Sequence, residues 1–133
     1  MIKGLIITHG DLGRELIQVA EKILERKADL AFLSLNWEDD GSDMDDQLDR
    51  FIVKNKNHDI IIFTDMFGGS PSNISTRFIN QKIEVISGIN LPGLLKFITY
   101  REKQTDLKKL VKIIEKGAID GISILSEYLG EKK

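Results

Sequence analysis

Apolar positions in this chain fall into short continuous runs that alternate with stretches of helical spacing. Residues 2–8 are largely β-branched and apolar and stop at His9-Gly10, which predicts a buried strand. From Asp11 the period changes: Leu12, Leu16, Val19, Ala20, Ile23 and Leu24 recur at helical spacing to about Glu25, with Asp11 placed to favour the helix dipole. Ala31–Leu35 predicts a second strand. Ser42 caps a second helix that carries Leu48, Phe51 and Ile52 to about Lys54. A polar turn over 55–59 leads into a third strand, Ile60–Phe63, then a helix from Pro71 to about Asn80 and a fourth strand, Ile83–Gly88. Beyond Asn90, with Pro92 in the first turn, Leu94, Leu95, Phe97 and Ile98 predict a fourth helix. Thr105 caps a fifth, carrying Leu107, Leu110, Val111 and Ile114, with Gly117 as its expected stop. Ile122 and Ile124 alternate with Ser123, so residues 119–125 read as a closing strand, and 131–133 are expected to fray.

Strands alternating with helices predict an α/β protein, a doubly wound and mostly parallel sheet, formed by one domain over residues 1–133. Such sheets bind ligands beyond the carboxyl ends of the strands, where the strand order reverses. If the first and third strands are neighbours, His9 and Asp65 meet there.

Composition narrows the function classes. With 133 residues, 41% hydrophobic and 30% charged, the chain is long enough for a real core and ordinary for a globular protein. A formal net charge of −2 gives no support for nucleic-acid binding. Without cysteine there is no disulfide, thiolate nucleophile or cysteine metal site. No apolar run reaches the ~18 residues of a membrane span, and no small-residue cleavage site precedes His9, so a cytoplasmic protein is expected.

The candidate chemistry lies in Thr64-Asp65-Met66-Phe67-Gly68-Gly69-Ser70-Pro71-Ser72-Asn73. The third strand ends in an acid, passes through a glycine turn and opens a helix, with Ser70 suited to the N-cap and Pro71 to the first helical position. Backbone N–H groups at a positive helix end make an anion cradle. His9 ends the first strand, and its imidazole is a nucleophile near neutral pH. An acid on one ring nitrogen fixes the tautomer and leaves the other to attack, a role Asp65 fits. Each residue also has a plainer reading: Asp65 as a turn cap, Ser70 as an N-cap only, Thr8 as a strand end with at most a minor lining role.

Taken together, Thr8-His9-Gly10, Asp65 followed by Phe67-Gly68-Gly69-Ser70-Pro71-Ser72-Asn73, and Gly88-Ile89-Asn90-Leu91-Pro92 resemble the mannose-type enzyme IIA of the sugar phosphotransferase system, over essentially the whole chain. The resemblance implies a phosphohistidine carrier: His9 takes a phosphoryl group from the phosphocarrier protein HPr and passes it to a IIB domain on a separate chain. It implies that Nδ1 faces Asp65 and Nε2 is phosphorylated, that Thr8, Gly69 and Ser70 bind the phosphate, and that no metal or cofactor is needed. Phe67 stands where some relatives have tryptophan and would dock a partner. The resemblance further implies four parallel strands plus an antiparallel C-terminal strand, here residues 119–125, exchanged in a homodimer. The membrane is involved only through the sugar permease components.

Other readings fit less well. A histidine phosphatase resembles an Arg-His-Gly start, but Thr8 replaces that arginine. A receiver module phosphorylated on Asp65 needs an acidic pair after the first strand, where this chain has His9-Gly10-Asp11. The phosphotransferase subunit of dihydroxyacetone kinases shares the histidine but lacks the Gly-Gly-Ser-Pro stretch, and a regulatory role is compatible with the same histidine. His58 sits in a solvated turn, and Lys108, Lys109, Lys112 and Lys116 form the wet side of a helix. A calcium loop centred on Gly41 would run from Asn36 to Gln47, placing glutamine where a bidentate glutamate is required, after a strand instead of a helix.

Overall fold

The apolar runs become parallel strands, and the amphipathic stretches become the helices that cover them. A computed structural model of the chain describes residues 1–35, 42–66, 68 and 70–130. In order these form β1 (Lys3–His9), α1 (Leu12–Leu24), β2 (Leu30–Leu35), α2 (Ser42–Lys54), β3 (Ile60–Thr64), α3 (Ser70–Thr76), β4 (Ile83–Ser87), α4 (Leu91–Tyr100), α5 (Leu107–Asp120) and α6 (Leu125–Gly130). Residues 36–41, the first part of the calcium-loop reading, and 131–133, expected to fray, lie outside the described residues.

The sheet has the order β2-β1-β3-β4, and every pairing is parallel. Interior positions of β1 and all of β3 are buried. Burial on both faces is why these strands read as unbroken apolar runs and not as an alternation. The chain builds β2 on one side of β1, then crosses back to place β3 on the other. The strand order therefore reverses between β1 and β3, where Ile7 lies opposite Thr64. His9 and Asp65 leave the sheet side by side at this crevice.

Successive side chains of a strand point to opposite faces, so β1 feeds two cores. Ile6 joins Ala20, Phe63, Leu94, Phe97, Leu110 and Ile114 under α1, α4 and α5. Leu5 and Ile7 join Met44, Leu48 and Ile62 under α2 and α3. In the first core Phe63 meets Phe97 edge to face, with ring centroids 5.1 Å apart. Glycine is required where α1 crosses the sheet, because a Cβ at Gly13 would lie 2.6 Å from the Ile6 side chain.

At the end of the sheet opposite His9, Arg101 is only 2% exposed. Its Nη1 donates to the carbonyls of Ala28 (2.7 Å) and Asp29 (3.1 Å), and its Nη2 to that of Ile2 (2.7 Å). The guanidinium stacks on Phe97, 4.5 Å from the ring centroid. One cation thus joins the end of α4 to the starts of β1 and β2.

Four expectations are corrected. α3 closes at Thr76 instead of near Asn80. Its hydroxyl bonds the Asn73 carbonyl, and the chain leaves through short Phe78→Ser75 and Ile79→Thr76 backbone bonds. Asp106, not Thr105, caps α5, accepting the Lys109 N–H. Gly117 does not stop that helix: it lies within it, against the Lys96 stem, and the C-cap is Gly121. The closing antiparallel strand over 119–125 is not formed within the single chain. Residues up to Asp120 are helical and 122–124 adopt no regular structure before α6. A strand exists only by pairing, and among the described residues of the single chain Ile122, 76% exposed, has no ladder partner.

Replacing Arg101 by methionine keeps the packing on Phe97 but strips two buried carbonyls, of Ala28 and Ile2, and the partly buried Asp29 carbonyl of their donor. The expected cost is about 3 kcal/mol of unfolding free energy, since hydrogen bonds to a charged group contribute roughly 1.5–3 kcal/mol each and the relieved desolvation offsets part of the loss. Urea denaturation checks it; a change below about 1 kcal/mol would mean that water replaces the guanidinium without penalty.

Candidate active site

Two loops at the carboxyl ends of β1 and β3 build the site, and hydroxyl side chains hold both in place. After His9, Gly10 turns the chain at φ +54°, in the left-handed region that glycine enters without strain. The Gly10 N–H donates to the Leu35 carbonyl (3.1 Å), and Ser34 Oγ donates to the Gly10 carbonyl (2.6 Å), so β2 fastens this turn from the side. Thr8 Oγ1 accepts the Gly13 N–H at 2.9 Å. It caps α1, while the Asp11 side chain makes no capping bond.

Across the crevice, Asp65 Oδ2 accepts the backbone N–H of His9 at 2.9 Å and lies 2.8 Å from His9 Nδ1. Oδ1 accepts the Met66 N–H at 2.9 Å. Burial pushes the carboxyl upward, but it is outweighed by the His9 N–H, the His9 ring and the Met66 N–H, which together hold Asp65 below its ordinary value. The group is therefore an ionised acceptor at neutral pH. An ionised carboxylate has no proton to give, so the Nδ1 contact places hydrogen on Nδ1 and the ring lone pair on Nε2.

The third strand's exit is braced separately. Ser72 Oγ lies 2.7 Å from the Met66 carbonyl, 2.6 Å from Thr64 Oγ1 and 2.9 Å from Ser87 Oγ. The Thr64 carbonyl accepts the N–H groups of Gly88 (3.0 Å) and Ile89 (3.1 Å). Gly68, at φ +87°, turns the chain towards α3, whose first residue, Ser70, is exposed. Leu12 and Met66 leave apolar side chains about half exposed beside these loops.

Of the residues singled out from sequence, His9 and Asp65 are brought into contact, and Ser70 opens α3 on the solvent side. Thr8 is corrected as a phosphate-lining residue: its side chain is 0% exposed and its hydroxyl faces the start of α1. Phe67 and Gly69 lie outside the described residues. Sequence reasoning passed over Ser72 and Ser34. The available signal was a hydroxyl residue at or next to the end of every strand, Thr8, Ser34, Thr64 and Ser87, with Ser72 following in α3.

A model of the EIIA-man family, described as the PTS system fructose IIA component, matches residues 3–115. The PTS system fructose-specific EIIA component of Bacillus subtilis (strain 168) is 32% identical over 78 residues, 57% of this chain and 53% of that protein. The PTS system mannose-specific EIIAB component of Escherichia coli (strain K12) is 24% identical over 131 residues, 96% of this chain and 41% of that protein. The chain thus spans about half, or less, of the length of these relatives. Among solved structures, the phosphotransferase system component EIIA from Streptococcus agalactiae superposes with a TM-score of 0.87 at 26% identity, covering 96% of this chain and 99% of that one. The mannose/sorbose-specific IIA subunit from Enterococcus faecalis shares the fold, with a TM-score of 0.85 at 19% identity over 92% of each chain.

Because the folded pKa of Asp65 is depressed, its stabilisation is fully present above the ordinary aspartate value of 3.8 and is lost as pH falls through the lower folded value. Asp65→Asn should cost about 1–3 kcal/mol at pH 5, and the gap to the unsubstituted protein should close below that value. Urea unfolding at pH 5 and near pH 2.5 reads the difference. A gap that stays constant between the two would show that the carboxylate charge contributes nothing.

Proposed function

Since this chain belongs to the EIIA-man family, the PTS fructose IIA components, we propose that it carries a phosphoryl group on His9, from phospho-HPr to a IIB domain, for coupled sugar uptake. The observation that carries this reading is the 2.8 Å contact of Asp65 Oδ2 with His9 Nδ1. It gives His9 a defined tautomer with its lone pair on Nε2.

In the reaction, Nε2 attacks phosphorus as the P–N bond to the imidazole of HPr breaks. One bond forms, one breaks, and the donor imidazole leaves with the electron pair. His9 becomes a phosphorylated imidazolium that keeps its Nδ1 proton, and the adjacent Asp65 carboxylate offsets the new positive charge. The IIB nucleophile later takes the phosphorus by the same in-line displacement. The work is positioning and electrostatics, which is what phosphoryl transfer demands of a protein. Ser70 and the amides of Gly69 and the α3 start supply donors to the phosphoryl oxygens, with Gly69 entering through its place in the motif. The exposed Leu12 and Met66 side chains, with Phe67 beside them in sequence, offer partners an apolar rim. Neither metal nor cofactor takes part in this scheme. The chain works in the cytoplasm, and no helix among the described residues is long and apolar enough to cross a membrane.

A homodimer belongs to the same proposal. Ile119, Ile122, Ile124, Leu125, Tyr128 and Leu129 are all exposed, and the first two border a groove of about 460 Å³ along β4, one of the two edge strands of the sheet. Apolar surface of this extent beside an unpaired edge is a liability in an isolated chain, and a second copy covers it.

Incubation with phosphoenolpyruvate, enzyme I and HPr should add a single acid-labile, alkali-stable phosphate, read by intact mass. His9→Ala should abolish the label with folding intact, and Asp65→Ala should slow labelling roughly 10²-fold. Labelling that survives in His9→Ala removes His9 from the role. The same preparation should sediment as a dimer and Ile122→Asp as a monomer; a monomeric unsubstituted protein at micromolar concentration overturns that part.

A further inference from the structure

Both neighbours of Asp65 converge on one hydroxyl. Ser72, the third residue of α3 and 1% exposed, reaches the Met66 carbonyl on one side of Asp65 and Thr64 Oγ1 on the other. A carbonyl only accepts, so Ser72 spends its single proton on Met66. Its two lone pairs are then met by the hydroxyl protons of Thr64 and Ser87. All three valences are satisfied, with the Ser72 and Thr64 side chains themselves buried. That makes the network stiff, because the buried Ser72 and Thr64 hydroxyls find their partners in one another instead of in solvent.

We infer that Ser72 is a positioning residue for the His9–Asp65 pair, holding the Thr64 side chain on one side of Asp65 and the Met66 carbonyl on the other so that the carboxylate stays on His9 Nδ1. Asp65 itself sits in no regular element: it follows the last residue of β3, and Met66 and Gly68 lead away from it. The sheet holds Thr64 from below through β1 and β4. Past that point the described anchors on the loop are the Asp65 carboxylate bonds themselves and the Ser72 bond to Met66. With the Ser72 bond removed, the carboxylate would have to hold its own loop as well as orient the imidazole. Ser87 extends the clamp to β4, so α3, β3 and β4 are pinned at one atom. Ser75 provides a natural comparison. It is buried in the same helix, but its hydroxyl bonds back to the Pro71 carbonyl at 2.7 Å and touches neither flank of Asp65.

The catalytic consequence rests on the carrier reading above; the positioning does not. In Ser72→Ala, two-dimensional ¹H–¹⁵N spectra of the His9 ring should show the Nδ1-protonated tautomer giving way to a mixture. Phosphate uptake from phospho-HPr should fall about tenfold, with the KM for HPr unchanged. Ser75→Ala should leave both readouts as they are, even where it lowers the melting temperature as much. An unaltered His9 spectrum in Ser72→Ala, or the same change in Ser75→Ala, overturns the inference. If Ser72→Ala does not fold, Ser87→Ala, which removes one arm, should shift the tautomer in the same direction to a smaller extent, and an unchanged spectrum there overturns it equally. A tautomer shift in a chain that never takes phosphate would uphold the positioning and refute the carrier reading.

Discussion

The contact between Asp65 and His9 spans the crevice where the sheet reverses its strand order, and most of the architecture bears on keeping it made. β1 and β3 are the two central strands, buried on both faces, and their parallel register delivers the two residues to adjoining strand ends. The carboxylate accepts three N–H contacts, two from His9 and one from Met66. These bonds outweigh the cost of burial and keep the group ionised. An ionised Asp65 in turn dictates which ring nitrogen holds the proton. Fold, charge state and tautomer thus form one chain of cause.

Around this contact the protein uses a rim of short hydroxyl side chains. Thr8 caps α1, Ser34 fastens the Gly10 turn, and Thr64 and Ser87 meet at Ser72. The positions are in register across the sheet: Thr8 lies opposite Ser34, and Thr64 opposite Ser87. Each is the first layer above the apolar core, where carbonyls and N–H groups of departing loops need partners that a leucine or isoleucine cannot supply. The rim therefore separates a core that provides stability from loops that provide chemistry. At the far end of the sheet Arg101 gathers carbonyls in a similar way with one buried cation.

Much of this was legible in the sequence because the signals are local. The runs Ile60–Phe63 and Ile83–Ser87 read as buried strands, and an acid followed by glycines after such a run marks a loop at the sheet's carboxyl edge. What the sequence did not carry was non-local. Ile122-Ser123-Ile124 has the two-residue period of a strand, but a period states only which side chains could share a face, and within the single chain these residues pair with no strand. Gly117 read as a stop, yet its small size serves packing against Lys96. Thr8, next to the nucleophile, read as part of the site, whereas the α1 amide that needed a cap takes its hydroxyl. Ser72 was hidden for the same reason: its partners lie at positions 64, 66 and 87, and only the fold brings them together.

Phosphoryl transfer as proposed depends on which ring nitrogen of His9 is the nucleophile. The most direct measurement is ³¹P–¹⁵N coupling in the phosphorylated, ¹⁵N-histidine-labelled protein, which identifies the nitrogen bonded to phosphorus. Phosphorus on Nε2, with Nδ1 still protonated beside Asp65, is the predicted result. Phosphorus on Nδ1 would mean that Asp65 must yield its contact during transfer, and the link from fold to tautomer to reaction would be broken.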